Sequence, residues 1–262
     1  MEKMPQILPE TDFDDSMDRE VIPYLTSICK CGYLPVEESR GDDGRLYYET
    51  YCPADARGAI VISHGFCETI EKYKEVIYYF TKMGFQVYLA DQRGHGRSLR
   101  DTSHPNMVHI NRFEDYVETL HSFISSVVKP NCGGLPLFLY AHSMGGGIGA
   151  LYLETYPDTF QKAVLTSPML AISMGPVPVF LARALGFFMV KKGRAETYAP
   201  GQHSFFPGEK WEQSGSACQE RFCYYQRKKE TTPLFQNSGS SYGWAYQSLC
   251  ACYQITQKRN CA

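Results

Sequence analysis

Strong charge of either sign is missing from this chain: 26 basic and 28 acidic side chains in 262 residues leave −2 at pH 7, giving no electrostatic reason to expect a nucleic-acid partner. Missing too is an apolar run long enough to cross a bilayer. The nearest approach, Val177 to Val190, is interrupted by Arg183 and Gly186 and reads as a lid, an interfacial segment or an ordinary cap helix. The first residues lack the basic start and apolar core of a secretory leader, and Asp12, Asp14, Asp15, Asp18 and Glu20 read as a solvated tail over 1–22. Cytoplasmic residence, with peripheral contact at the inner membrane face, is the expectation. Neither an internal repeat nor a long linker is present. Ten cysteines are many for a reducing compartment, but Cys29-Lys30-Cys31 and Cys250-Ala251-Cys252 lack the usual two-residue spacer of a thiolate metal site. Free thiols, no metal and no cofactor are therefore expected. The length suffices for a full core in one domain with an insertion.

What is present begins with Tyr140-Ala141-His142-Ser143-Met144-Gly145-Gly146. The apolar run Leu135 to Tyr140 suits a buried parallel strand, and the glycine-rich stretch after Met144 suits the start of a helix. Ser143 then lies on a sharp strand-to-helix turn, a nucleophile elbow. Its strained backbone is tolerable only with small residues two positions away, here Ala141 and Gly145. The Met144 amide would be left free at a helix N-terminus, where negative charge is favoured. Upstream, the strand Ala59 to Ser63 runs into His64-Gly65-Phe66-Cys67-Glu68. A His-Gly step there lets the chain pass close to a substrate carbonyl, which makes the Phe66 amide a candidate second oxyanion donor beside that of Met144.

Between these motifs strands and helices alternate. Tyr73, Val76, Ile77, Phe80 and Met83 form a helical stripe closed by Gly84, and Phe85 to Ala90 follows as a strand. Asn111 with Glu114 has capping-box spacing; Phe113, Val117, Leu120, Ile124 and Val127 mark one face of a helix ending near Pro130. Ala163 to Thr166 is the next strand. Such alternation implies a mostly parallel sheet covered on both faces, with His64 and Ser143 at the carboxyl ends of strands, where sites in such sheets lie.

His64-Gly65-Phe66-Cys67-Glu68, Asp91-Gln92-Arg93-Gly94-His95-Gly96-Arg97-Ser98, His109-Ile110-Asn111-Arg112-Phe113-Glu114-Asp115-Tyr116 and Ala141-His142-Ser143-Met144-Gly145-Gly146, in that order, resemble the α/β-hydrolases of the bacterial lysophospholipase and monoacylglycerol lipase group. The resemblance runs from about Leu46 to Ser248. It implies an α/β-hydrolase fold with an inserted cap and hydrolysis of a fatty-acyl ester of a single-chain lipid. Ser143 would be the nucleophile, and the Phe66 and Met144 amides would hold the oxyanion. It also implies an architectural role for Asp91 and Arg93. Read alone, the glycines of that loop suggest phosphate binding, but the helix-opening G-x-G-x-x-G spacing is missing.

In this family the acid and then the histidine follow the nucleophile, each after a later strand. After Ser143 the sequence holds one aspartate, Asp158 in Tyr156-Pro157-Asp158, and one histidine, His203 in Pro200-Gly201-Gln202-His203-Ser204. Asp158 reads as the turn leaving the helix behind the elbow, and His203 as part of the cap, which makes it a weak candidate for the base. The expected organisation is a hydrolase core over 1–167, a cap over 168–248 and an atypical C-terminal tail over 249–262, with the last strands missing. Without them the Ala163 to Thr166 strand becomes a sheet edge, and low solubility or dependence on a partner is expected. Two functions stay open: a serine hydrolase of lysophospholipid or monoacylglycerol esters, and an impaired remnant lacking its triad Asp and His that at most binds lipid.

Overall fold

The computed structural model describes residues 5–36 and 44–257, and among these alternating or continuously apolar runs give six strands joined in one sheet. The strands are β1 (Cys29–Pro35), β2 (Arg45–Tyr51), β3 (Gly58–Ser63), β4 (Phe85–Ala90), β5 (Leu137–His142) and β6 (Lys162–Thr166). Their order across the sheet is β1-β2-β4-β3-β5-β6. β1 and β2 are antiparallel to their neighbours, whereas β4, β3, β5 and β6 run parallel. Every residue of β3 is buried, as a strand covered on both faces requires.

The helices are α1 (Phe13–Ser16), α2 (Ile22–Ile28), α3 (Lys74–Lys82), α4 (Glu114–Phe123), α5 (Lys129–Asn131), α6 (Met144–Thr155), α7 (Val179–Lys191), α8 (Gln219–Thr231) and α9 (Tyr242–Ile255). A wide-turn helix, Met17–Val21, links α1 to α2, so the expected N-terminal tail is instead packed helix. Phe13, Met17, Val21 and Leu25, four apart, are buried, while Asp12, Asp14, Asp15, Asp18 and Glu20 face solvent on the other side. The acidic residues were legible as solvated; the apolar stripe between them decides the structure. The C-terminal tail expected from 249 also begins inside a helix, since α9 buries Leu249, Ala251, Cys252 and Ile255; Lys258 and Arg259 lie outside the described residues. The capping box at Asn111 is not formed: α4 starts after Phe113 without a side-chain cap.

Two apolar clusters cover the sheet. One is built round Phe113, Phe123, Ile148 and Tyr152, the other round Met17, Leu25, Ile70 and Ile77. β6 is the last strand among the described residues, and Val164 on it is 56% exposed. α7 also exposes apolar side chains, with Phe180 at 66% and Phe188 at 60%. Among the described residues no helix is long and apolar enough to cross a membrane.

Candidate active site

β5 ends at His142, and the chain turns at Ser143, φ 52° and ψ −119°, straight into α6. A turn this tight leaves no room for side chains around it. A Cβ on Gly145 would lie 2.1 Å from the Ser63 carbonyl oxygen, and one on Gly146 would lie 2.7 Å from the Pro168 Cα. Ala141 is wholly buried, so its methyl takes the space left by the first position of the elbow motif. The backbone is tied on both sides: the Ser143 N–H donates to Thr166 O at 3.1 Å, and its carbonyl accepts from Gly147 N–H and Met169 N–H at 3.1 and 2.9 Å.

Register places the second motif beside the first. Ser63 pairs with Ala141, so the loop leaving β3 passes the elbow, and a Cβ on Gly65 would come within 3.2 Å of the Ser143 Cβ. Glu68 fixes that loop. Its Oε2 accepts from Gly65 N–H and from the Tyr73 hydroxyl, both at 2.7 Å, and its Oε1 accepts from Lys72 Nζ at 2.6 Å. Burial opposes its charge, but the Lys72 ammonium and the hydrogen bonds from Lys72 and Tyr73 hold its pKa below the ordinary value. Among the described residues neither the Phe66 nor the Met144 amide has a hydrogen-bond acceptor. Two free N–H groups near one serine can stabilise a developing oxyanion.

Two buried histidines serve this frame and are not free to act as bases. His64 Nδ1–H donates to Gly65 O at 2.9 Å while its Nε2 accepts from Gln92 N–H at 2.8 Å. His95 Nε2 accepts from Cys67 N–H at 3.2 Å, and its Nδ1 faces Arg93 O at 3.1 Å. These partners specify the neutral tautomer in both. Burial lowers the pKa of His64 to about 4 and that of His95 well below the usual value.

Asp91 and Arg93 are architectural, as the sequence led one to expect. The Asp91 carboxylate accepts from Ile70 N–H at 2.8 Å and Arg97 N–H at 3.0 Å, and burial raises its pKa to about 6. A Cβ on Gly96, φ 52°, would strike that carboxylate at 2.1 Å. Arg93 makes a buried two-point pair with Asp101, at 2.5 and 2.6 Å. The buried Asn237, not singled out from sequence, ties the segment between α8 and α9 to the same loop through Gly94 O at 2.7 Å and Gly96 N–H at 3.1 Å.

The other expected site residues are not assembled with Ser143. His203 is exposed, its Nδ1 2.8 Å from Ser204 O. Asp158 is exposed in the turn beyond the far end of α6. Adjacent His142 directs Nδ1 to Thr166 Oγ1 at 3.1 Å. Among the described residues the Ser143 hydroxyl has no hydrogen-bond partner. Beside the elbow, Phe66, Cys67 and His142 line a cleft of 540 Å³ together with α8 and the loop before it. Cys29 and Cys31 stand on edge strand β1, and Cys250 and Cys252 on α9.

The family model described as serine aminopeptidase, S33 matches residues 54–260. The chain is 39% identical to lysophospholipase L2 of Escherichia coli (strain K12) over 126 residues, which is 48% of this chain and 36% of that protein. To the monoacylglycerol lipase of Mycolicibacterium smegmatis it is 34% identical over 145 residues, 54% of this chain and 50% of that protein. The chain thus spans about a third to a half of the length of these relatives. A solved structure of a soluble variant of monoglyceride lipase from Saccharomyces cerevisiae superposes with a TM-score of 0.64 at 15% identity, covering 88% of this chain and 70% of that one. A carboxyl esterase from Bacillus coagulans does so with a TM-score of 0.64 at 18% identity, covering 86% and 73%. These two likenesses speak to the α/β-hydrolase fold alone.

Proposed function

The chain belongs to the serine aminopeptidase, S33 family of α/β-hydrolases, and from that premise we propose that it is a carboxylic ester hydrolase acting on single-chain lipids through an acyl-Ser143 intermediate. The observation that carries this reading is the strained Ser143 turn at the mouth of α6, next to the unpaired amides of Phe66 and Met144. In the proposed step Ser143 Oγ attacks the ester carbonyl, its proton leaves to a base, and the carbonyl oxygen takes up negative charge against those amides. Lysophospholipid and monoacylglycerol esters are the substrate classes suggested by the names of the relatives. The exposed apolar side of α7 supports peripheral contact with a lipid surface.

One observation favours a second reading. The Ser143 hydroxyl has no imidazole within hydrogen-bond reach among the described residues. A serine lacking its histidine loses on the order of a million-fold in turnover, leaving roughly a thousand- to ten-thousand-fold over water from oxyanion stabilisation and binding. On this reading the chain binds a lipid ester but barely turns it over. Incubation with a fluorophosphonate, read by intact mass, separates the two. A stoichiometric adduct abolished by Ser143→Ala is the result expected of the hydrolase. Folded protein that stays unlabelled leaves only the second reading standing.

A further inference from the structure

Lys229, on α8 in the cap, is 9% exposed, and its ammonium opens into the cleft shared by Phe66, Cys67 and His142. The stem is packed while the ammonium, which carries three donors, stays open on the cleft side. Among the described residues the Lys229 side chain donates no hydrogen bond. Its nearest carboxylate, Glu209, stands at 3.9 Å, beyond hydrogen-bond distance, and is itself 44% exposed. The Phe205 ring lies 5.4 Å from the ammonium, a contact that tolerates the charge without using its hydrogens.

The other charges lining the cleft are occupied. Lys72 holds Glu68 at 2.6 Å, Arg221 holds Glu75 at 2.8 Å, and Glu71 is shared among Lys74, Arg97 and Lys228 at 3.2 to 3.7 Å. Among the described residues Lys229 is therefore the cation lining this cleft whose side chain has no hydrogen-bonded acceptor. It is near the oxyanion loop: its charge opposes the rise that burial imposes on the pKa of the Cys67 thiol.

We infer that Lys229 is the ligand of a phosphate group at the polar end of a single-chain lipid, and so the residue that separates a lysophospholipid from a neutral monoacylglycerol in this cleft. The inference rests on the reading of the Ser143 site as a lipid-ester site. A phosphate oxygen entering from the cleft would accept a charge-assisted hydrogen bond from the ammonium, whereas a glycerol hydroxyl brings no opposite charge.

The test uses two non-hydrolysable ether lipids of equal chain length, one bearing glycerophosphate and the other a monoalkylglycerol, titrated calorimetrically below their micelle concentrations. The wild-type chain is expected to favour the phosphate-bearing ether by about tenfold or more. Lys229→Met, which keeps the apolar stem, is expected to remove that preference and leave the monoalkylglycerol affinity unchanged; Lys229→Arg is expected to retain it. Inorganic phosphate alone is expected to bind far more weakly than the lipid. No preference in the wild-type chain, an equal loss for both ethers in Lys229→Met, or inorganic phosphate binding as tightly as the lipid would each overturn the assignment. Because neither ether can be cleaved, the outcome is independent of whether Ser143 reacts, which the fluorophosphonate adduct reports separately.

Discussion

Ser143 holds φ at 52° with ψ at −119°, a conformation glycine adopts freely and other residues only at a cost. Nothing in its side chain offsets that cost, since the hydroxyl has no hydrogen-bond partner among the described residues. The strain is held by the three backbone hydrogen bonds to Thr166, Gly147 and Met169 and by the absence of side chains at Gly145 and Gly146. Ser143→Gly should therefore be more stable than Ser143→Ala by about 1–2 kcal/mol, both being unreactive toward a fluorophosphonate. Urea unfolding of the two variants measures the difference. Equal midpoints would mean that the turn stores no strain.

At the scale of elements, several side chains fasten α8 and its flanking segments to the sheet and its helices, and Arg221 on α8 makes the most connections. Its Nε and Nη2 donate to the two Glu75 oxygens on α3 at 2.9 and 2.8 Å, and Nη2 also donates to Leu8 O at 2.9 Å. α8, α3 and the N-terminal segment thus meet at one guanidinium, which Lys cannot reproduce because it lacks the planar fork. Arg221→Ala should cost about 2 kcal/mol and make the loop before α8 the first site of limited proteolysis; Arg221→Lys should recover only part of this. The elements themselves were unevenly legible. β3, β4, β5 and β6 could be read to within two residues because their apolar runs are continuous. β1 and β2 were missed: β1 is an edge strand with one face in solvent, and its Lys30, Gly32 and Pro35 dilute the alternation. The helix at Met17–Val21 was not legible because five acidic residues interrupt the four-residue apolar spacing of Phe13, Met17, Val21 and Leu25. At Asn111, capping-box spacing was present but the chain enters α4 two residues later, at Phe113, whose ring is buried and sets the start of the helix by packing.

For the molecule as a whole, the visible and hidden parts of the site differ in kind. Ser143, Phe66 and Met144 were readable because a tight turn imposes local sequence rules. Asn237 and Lys229 act across long sequence separations, and no local pattern marks a residue whose role is set by what packs against it. The same long-range burial shapes the response to acid. His64 and His95 have folded pKa values depressed below the unfolded value of about 6.5, so each supplies stability that is present above that pH and lost as the pH falls. Asp91 has the opposite sign: with its pKa raised to about 6, it contributes stability below its unfolded pKa that is lost as the pH rises through 6. Between about pH 6 and 4, unfolding therefore takes up two protons at the histidines and releases one at Asp91, a net uptake of one, or about 1.4 kcal/mol lost per pH unit. Below that window Glu68 and Glu71, both with lowered pKa values, add to the loss. His95→Gln can keep an acceptor toward Cys67 N–H and a donor toward Arg93 O without a titratable ring, so it should remove the net slope between pH 6 and 4 while leaving stability at pH 7 nearly unchanged. Denaturant melts of the two proteins across that range decide the matter: parallel pH profiles would show that His95 does not stay neutral in the folded chain.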